Sequence, residues 1–498
     1  MNVNPITRLD YPDPDVIRVE DTYYMVSTTM HFMPGCEILQ SFDLVHWEHA
    51  TYVYETLDHT DAQQLKSGQN IYGQGMWAAS LRYHEGRFYI CFVANDTRKT
   101  YLYTSEKIDG PWKKQLIEGF YHDGSLLFDE DGRNYIVYGN DEIWITELNE
   151  DLTAPKKDGL HRLLVSDHKN PDLGYEGSHI QKINGYYYIF LIHSLRDRWM
   201  RTEACFYSDS LEGEFTGGDV LCDDRGYCGQ GVAQGGIVDT PDGKWYAMLF
   251  QDSGAVGRIP ILVPVTWKDH FPVFGQNGHV PEEIEVHSTR PGYIYQPLVG
   301  SDDFCNGLLP RWQFNHDPDP RYYHLDALQG TYTITTREVC TELTQAVNTL
   351  TQRMSYPSCA AEVTVDASAL KEGDVAGLCA LQGCYAAVGI TKHHGKYEVL
   401  MLDKKEDGIL DMTERTVVES HQMDFRLEAD FCNMKDEARC YYRVNKGDWL
   451  PIGTVHKLYF KLDHFTGCRF GLFCYAAEET GGSACFRDFK YYDVDEIS

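Results

Sequence analysis

The chain reads as all-β, a five-bladed β-propeller followed by a β-sandwich. Three observations carry this reading. Segments with apolar residues at three- and four-residue spacing are nearly absent. Short runs rich in Tyr, Val, Ile and Phe alternate with Gly, Asp and Asn turns. One such unit recurs five times before the pattern changes near residue 280.

The units follow in order. Residues 15–28 turn at Asp21, 80–94 at Gly86, 125–139 at Gly132, 179–193 at Gly185 and 236–250 at Gly243. Asp-Gly and Asn-Gly pairs between alternating apolar residues are strong hairpin signals. Three units run on into a further strand: Ser41 to Trp47, Ser105 to Trp112, and Ser208 to Phe215. Each unit therefore holds three or four strands at a period of roughly fifty residues, the mark of radially arranged sheets. A single sandwich could not use five equivalent hairpins. After Phe274 comes a polar stretch, Pro281 to Pro297, without the repeat. Alternating segments then resume at Ala360–Val365, Tyr397–Leu402, Phe425–Ala429, Arg469–Tyr475 and Phe486–Tyr492. They read as a sandwich of about 190 residues, with domains at 1–295 and 300–498.

Composition narrows the function. Of 498 residues, 44 are Lys or Arg and 75 are Asp or Glu, a net charge of −31. Such a chain repels phosphate backbones and anionic lipid surfaces, so nucleic acid and membrane partners are not expected. Neutral substrates carry no such penalty. The 34 Tyr, 22 Phe and 9 Trp offer flat rings for sugar faces. No apolar run is long enough to span a bilayer. Residues 1–10 lack a charged start followed by an apolar stretch, so a cytoplasmic protein is expected. Fifteen cysteines without a C-x-x-C pair read as free thiols of a reducing compartment. There is no zinc pattern, nucleophile elbow or phosphate loop.

Three carboxylates precede apolar strands of the repeat: Asp13 in unit one, Asp123 in unit three and Glu176 in unit four. The innermost strands of a propeller start at one end of the axis, so these side chains should converge on one hollow. Trp77 and Gln234 take the corresponding places in units two and five. Converging acids raise each other's proton affinity. Glycoside hydrolysis needs that arrangement, with one carboxyl protonated for the leaving oxygen and another ionised to activate water.

Four motifs in order, Asn4-Pro5-Ile6 to Tyr11-Pro12-Asp13-Pro14, Trp77-Ala78, Asp123-Gly124-Ser125-Leu126 and Glu176-Gly177 before Asn184-Gly185-Tyr186, resemble glycoside hydrolase family 43. The closest likeness is to β-xylosidases and α-L-arabinofuranosidases with a concanavalin A-like jelly-roll sandwich at the C-terminus. The resemblance implies an inverting hydrolase, with Asp13 as general base and Glu176 as general acid. Asp123 would raise the proton affinity of the acid and orient it. Arg258 would contact sugar hydroxyls and Trp77 would wall the subsite. His31 or Phe32, before Met33-Pro34-Gly35, would supply an aromatic sugar contact. Asp15 reads as structural. Two departures stand out. Asp123-Gly124 replaces an Asp-Pro common in relatives. Gln234 stands where relatives place a histidine that helps hold calcium; its amide can ligate calcium or hydrogen-bond water. No cofactor is required on this reading.

The expected activity is exo-release of terminal xylose from xylo-oligosaccharides, with arabinofuranosidase activity beside it. The alternatives are an α-L-arabinofuranosidase acting on arabinoxylan, arabinan or xyloglucan side chains, and, from another class, a non-catalytic carbohydrate-binding propeller. The partner is a pentose-containing oligosaccharide, and a homo-oligomer is left open.

Overall fold

The computed structural model describes residues 2–493. Its first part is five four-stranded antiparallel sheets that follow one another along the chain. Blade one comprises Asp15–Val19, Thr22–Ser27, Gly35–Ser41 and Glu48–Tyr54. Blade two comprises Met76–His84, Arg87–Ala94, Lys99–Ser105 and Lys113–Ile117, and blade three Ser125–Phe128, Asn134–Asn140, Glu142–Leu148 and His161–Ser166. Blade four comprises Glu176–Ile183, Tyr186–Ser194, Arg201–Ser208 and Thr216–Leu221, and blade five Ile237–Asp239, Trp245–Asp252, Arg258–Lys268 and Phe271–Phe274. All five hairpins read from the sequence are present. Gly132 and Gly185 take φ of 80° and 84° at their turns, a left-handed conformation that glycine adopts without a Cβ clash.

Neighbouring inner strands are joined by side chains reaching the backbone of the next blade. Asp15 Oδ2 accepts from Leu81 N at 2.7 Å, Ser80 Oγ from Leu126 N at 3.1 Å, and Ser125 Oγ from Ile180 N at 3.0 Å. Asp15, Ser80, Ser125 and His179 thus occupy one position of the repeat. The Arg82 guanidinium lies among them. It donates to Asp15 Oδ2, the Ser125 hydroxyl, and the carbonyls of Leu126 and Ile180.

Among the described residues, no strand is exchanged to close the ring. The Asn4 side chain instead pairs with Leu262 in both directions, at 2.9 and 3.0 Å. Asn2–Val3 pairs with Glu283–Ile284.

The segment after the propeller is held along blade one: Thr289 N donates to Phe42 O, Arg290 to Asp21, and Tyr293 to Glu48. The second part packs an eight-stranded sheet on a seven-stranded one. Leu378, Val388, Phe425, Leu427, Leu472 and Phe486 fill the space between them, all fully buried. This is the expected sandwich. Its eight-stranded sheet ends on a two-residue strand, Phe32–Met33, that comes from the propeller and pairs with Gln313–Asn315. The two domains therefore share a sheet. No described helix is long and apolar enough to cross a membrane.

Candidate active site

The starts of the inner strands bring Asp13, Trp77, Asp123 and Glu176 to one end of the axis, and the start of the third strand of blade five brings Arg258 there. Two residues before the linking position stand Asp13, Asp123, Gly177 and Gln234, each left-handed with φ of 52°, 48°, 65° and 62°. The chain turns sharply into each of these blades, and the turn throws the side chain toward the axis. Aspartate tolerates this conformation better than most residues. Glu176 stands one residue earlier than the phase of Asp13 and Asp123. A bulge between Glu176 and His179 re-aims it, as a bulge between Met76 and Ala79 re-aims Trp77.

Asp13 is buried, and both its oxygens are held. Arg258 Nη1 donates to Oδ1 at 2.9 Å and the Thr28 hydroxyl to Oδ2 at 2.7 Å. Asp123, equally buried, accepts from Gly177 N at 3.0 Å. Burial, reinforced by the Glu176 and Asp13 carboxylates and opposed by His122, pushes Asp123 up to about 6. Glu176 is partly open, and Asn140 Nδ2 donates to its Oε2 at 2.8 Å. His122 Nε2 lies 3.5 Å from both Asp123 Oδ2 and Glu176 Oε2. The Trp77 ring is 5.8 Å from His122 and 5.5 Å from Phe465.

Phe465 comes from the sandwich. Its ring covers the Arg258 guanidinium at 4.3 Å. The site is thus roofed by the second domain, and a cation–π contact fixes the roof to the arginine that holds Asp13. Asp15 lies below the site, fully buried and bonded to Arg82 and to His179 Nδ1 at 3.0 Å. Its role is structural.

Two expected sugar contacts fall elsewhere. Phe32 is buried in the shared sheet under the Arg469 guanidinium, 3.4 Å away. His31 is fully buried against Phe32, Tyr72, His316 and His464. The extra strand that joins the domains consumes this segment, so both rings pack the seam and not the hollow. Gln234 donates its backbone N–H to Glu203 Oε2 at 2.7 Å, and its side chain lies over Gly177. Of the acids near Gln234, Asp15 is already neutralised by Arg82, and the buried Glu203 carboxyl accepts from the Gln234 backbone.

Sequence reasoning missed His122, Asn140, Thr28 and Phe465. His122 could have been found, because it adjoins Asp123. The others depend on which loops meet at the axis.

A propeller that gathers three carboxyls and an arginine at one end, roofed by a sandwich, has the architecture of a glycoside hydrolase. Residues 3–272 match the family described as Glycosyl hydrolases family 43, and residues 301–492 match the Beta xylosidase C-terminal Concanavalin A-like domain. The chain belongs to glycosyl hydrolase family 43. It is 27% identical to a beta-xylosidase of Formosa agariphila, over 99% of this chain and 89% of the relative. It is 26% identical to a non-reducing end alpha-L-arabinofuranosidase of Bacteroides ovatus, over 66% and 63%. A solved structure described as bifunctional GH43-CE from Bacteroides eggerthii superposes with a TM-score of 0.93 at 42% identity, covering all of this chain and 64% of that one. The chain therefore spans just under two thirds of that protein.

Proposed function

We propose that the protein removes terminal xylose from short xylo-oligosaccharides with inversion, without a metal. The observation that carries this is the gathering of Asp13, Asp123 and Glu176 at one end of the propeller axis, with Phe465 over the arginine that holds Asp13. Asp13 is the base. Arg258 and Thr28 fix both its oxygens, so its free lone pairs keep one direction toward the attacking water. Glu176 is the acid, and Asn140 fixes the oxygen next to His122. Asp123 orients the acid by accepting from Gly177, the residue that follows it. Phe465 packs 5.5 Å from Trp77 and covers Arg258, so the sandwich closes one side of the site, which favours exo action.

A second reading, release of terminal arabinofuranose, is favoured by the name of the Bacteroides ovatus relative. Rates on 4-nitrophenyl β-D-xyloside and α-L-arabinofuranoside separate the two. NMR of the first-formed anomer tests inversion, and retention would reject the base assigned to Asp13. Asp13→Ala and Glu176→Ala should each lower turnover on the natural disaccharide by about 10²–10⁴-fold while leaving the fold intact. Wild-type rates in Glu176→Ala would overturn the roles. The fifteen cysteines are unpaired, which supports a cytoplasmic site of action and an imported, short substrate.

A further inference from the structure

His122 is unexplained by the roles above. Its Nε2 is buried and without a hydrogen-bond partner, yet stands midway between two carboxylates, 3.5 Å from Asp123 Oδ2 and 3.5 Å from Glu176 Oε2. Its backbone carbonyl is tied to Gly139 N at 3.0 Å, and Trp77 flanks the ring. The groups facing it are Asp123 on its own loop, Glu176 from blade four, and Asp13 from blade one with Arg258 bonded to it. Trp77 of blade two brings no charge. The Arg258 guanidinium is committed to Asp13, and the imidazole is placed to offset the Asp123–Glu176 pair. About a fifth of its side chain remains exposed, which gives the ring an edge toward solvent.

We propose that His122 is a positioning residue that stores the proton Glu176 delivers and returns it after each turnover. This rests on the reading of Glu176 as the general acid. In one cycle the attacking water loses a proton to Asp13, and its oxygen bonds to the anomeric carbon as the glycosidic bond breaks. Glu176 gives its proton to the leaving oxygen. The cycle leaves Asp13 protonated and Glu176 ionised. The His122 Nε2 proton then passes to Glu176 Oε2, Nε2 regains one from a water that enters as product leaves, and Asp13 releases one. Protons balance, and no other reactant is needed. Burial works against a charge on the ring, but Asp123 and then Glu176 push His122 up to about 9, so the ring holds its proton in the resting site.

Two measurements test this. The first is independent of turnover. NMR titration of the His122 ring should find it protonated at about pH 7, with a midpoint that falls by more than about one unit in Asp123→Asn. A ring neutral at about pH 7 in the wild type overturns the proposal. The second compares His122→Phe and His122→Gln on xylobiose and on 2,4-dinitrophenyl β-D-xyloside, whose leaving group needs no proton. Both variants should lose roughly 10²-fold in kcat on xylobiose and less than about 3-fold on the dinitrophenyl sugar. The alkaline limb on xylobiose should move to lower pH, because the proton left in the cluster would then sit on carboxyls, which release it earlier. Equal losses on both substrates, an unmoved limb, or full rescue by Gln overturn the proposal. A Glu176→Gln variant as fast as wild type on xylobiose would instead reject the acid assignment itself.

Discussion

Asp123 illustrates what the site costs the fold. Its carboxyl is buried and raised to about 6, against an ordinary value near 4. The folded state therefore binds this proton more readily than the unfolded chain. The associated stability is complete below about pH 4 and is lost as pH rises through 6. At neutral pH the ionised group is a net burden. Asn is nearly isosteric, tolerates φ of 48°, and its Oδ1 can still accept from Gly177 N. Asp123→Asn should therefore raise stability at about pH 7 by on the order of 1–3 kcal/mol. The gain should shrink as pH falls toward 4, and turnover should be lost at every pH. Urea unfolding of both proteins across that range checks this, and a pH-independent difference would mean that charge is not the cause.

The blades hold together through the ring of links from Asp15, Ser80 and Ser125, with the Arg82 guanidinium reaching strands of blades one, three and four. Arg82 also neutralises Asp15, which is fully buried and held below the usual carboxylate range against the cost of its burial. Removing one partner of such a pair leaves an uncompensated charge. Arg82→Met should cost about 3–5 kcal/mol in urea unfolding. A loss under about 1 kcal/mol would mean the hub carries little. Much of this was legible beforehand, because a hairpin repeat is a local signal. Tyr-rich strands and Gly turns lie within about fifteen residues of one another, and Asp13 and Asp123 each stand just before their own unit. The one-residue offset of Glu176 was not legible, since a bulge is set by pairing with the next strand. Nor was the fate of His31 and Phe32. Their segment looks like a pocket wall until a strand some 280 residues later in the chain, Gln313–Asn315, pairs with it.

That shared sheet also makes the domain seam a titrating region. His31, His316 and His464 are buried together there; Tyr72 stacks on His464 at 3.9 Å, and Ile71 N donates to His316 Nε2 at 3.0 Å. Desolvation pushes all three down, His464 to about 3 and the other two well below the ordinary range. The folded state thus holds them neutral while the unfolded chain protonates near pH 6.5. Their stabilising contribution is complete above that value and is lost as pH falls from about 6.5 toward 3. Asp317, pushed up to about 6 by burial and bonded to His59, works in the opposite sense, so the raw pH curve mixes the two. A difference between proteins isolates the histidines. His31→Phe removes one titrating group and keeps a ring among Phe32, Tyr72 and His464. Its stability should fall less steeply below about pH 6, by up to about 1.4 kcal/mol per pH unit relative to wild type. The loop that carries His464 also carries Phe465 over the hollow. Acid loosening of the seam should therefore weaken sugar binding before the blades unfold. KM rising ahead of the loss of propeller signal, and less so in His31→Phe, is the expected result; simultaneous loss in both proteins would place the weak point in the blades.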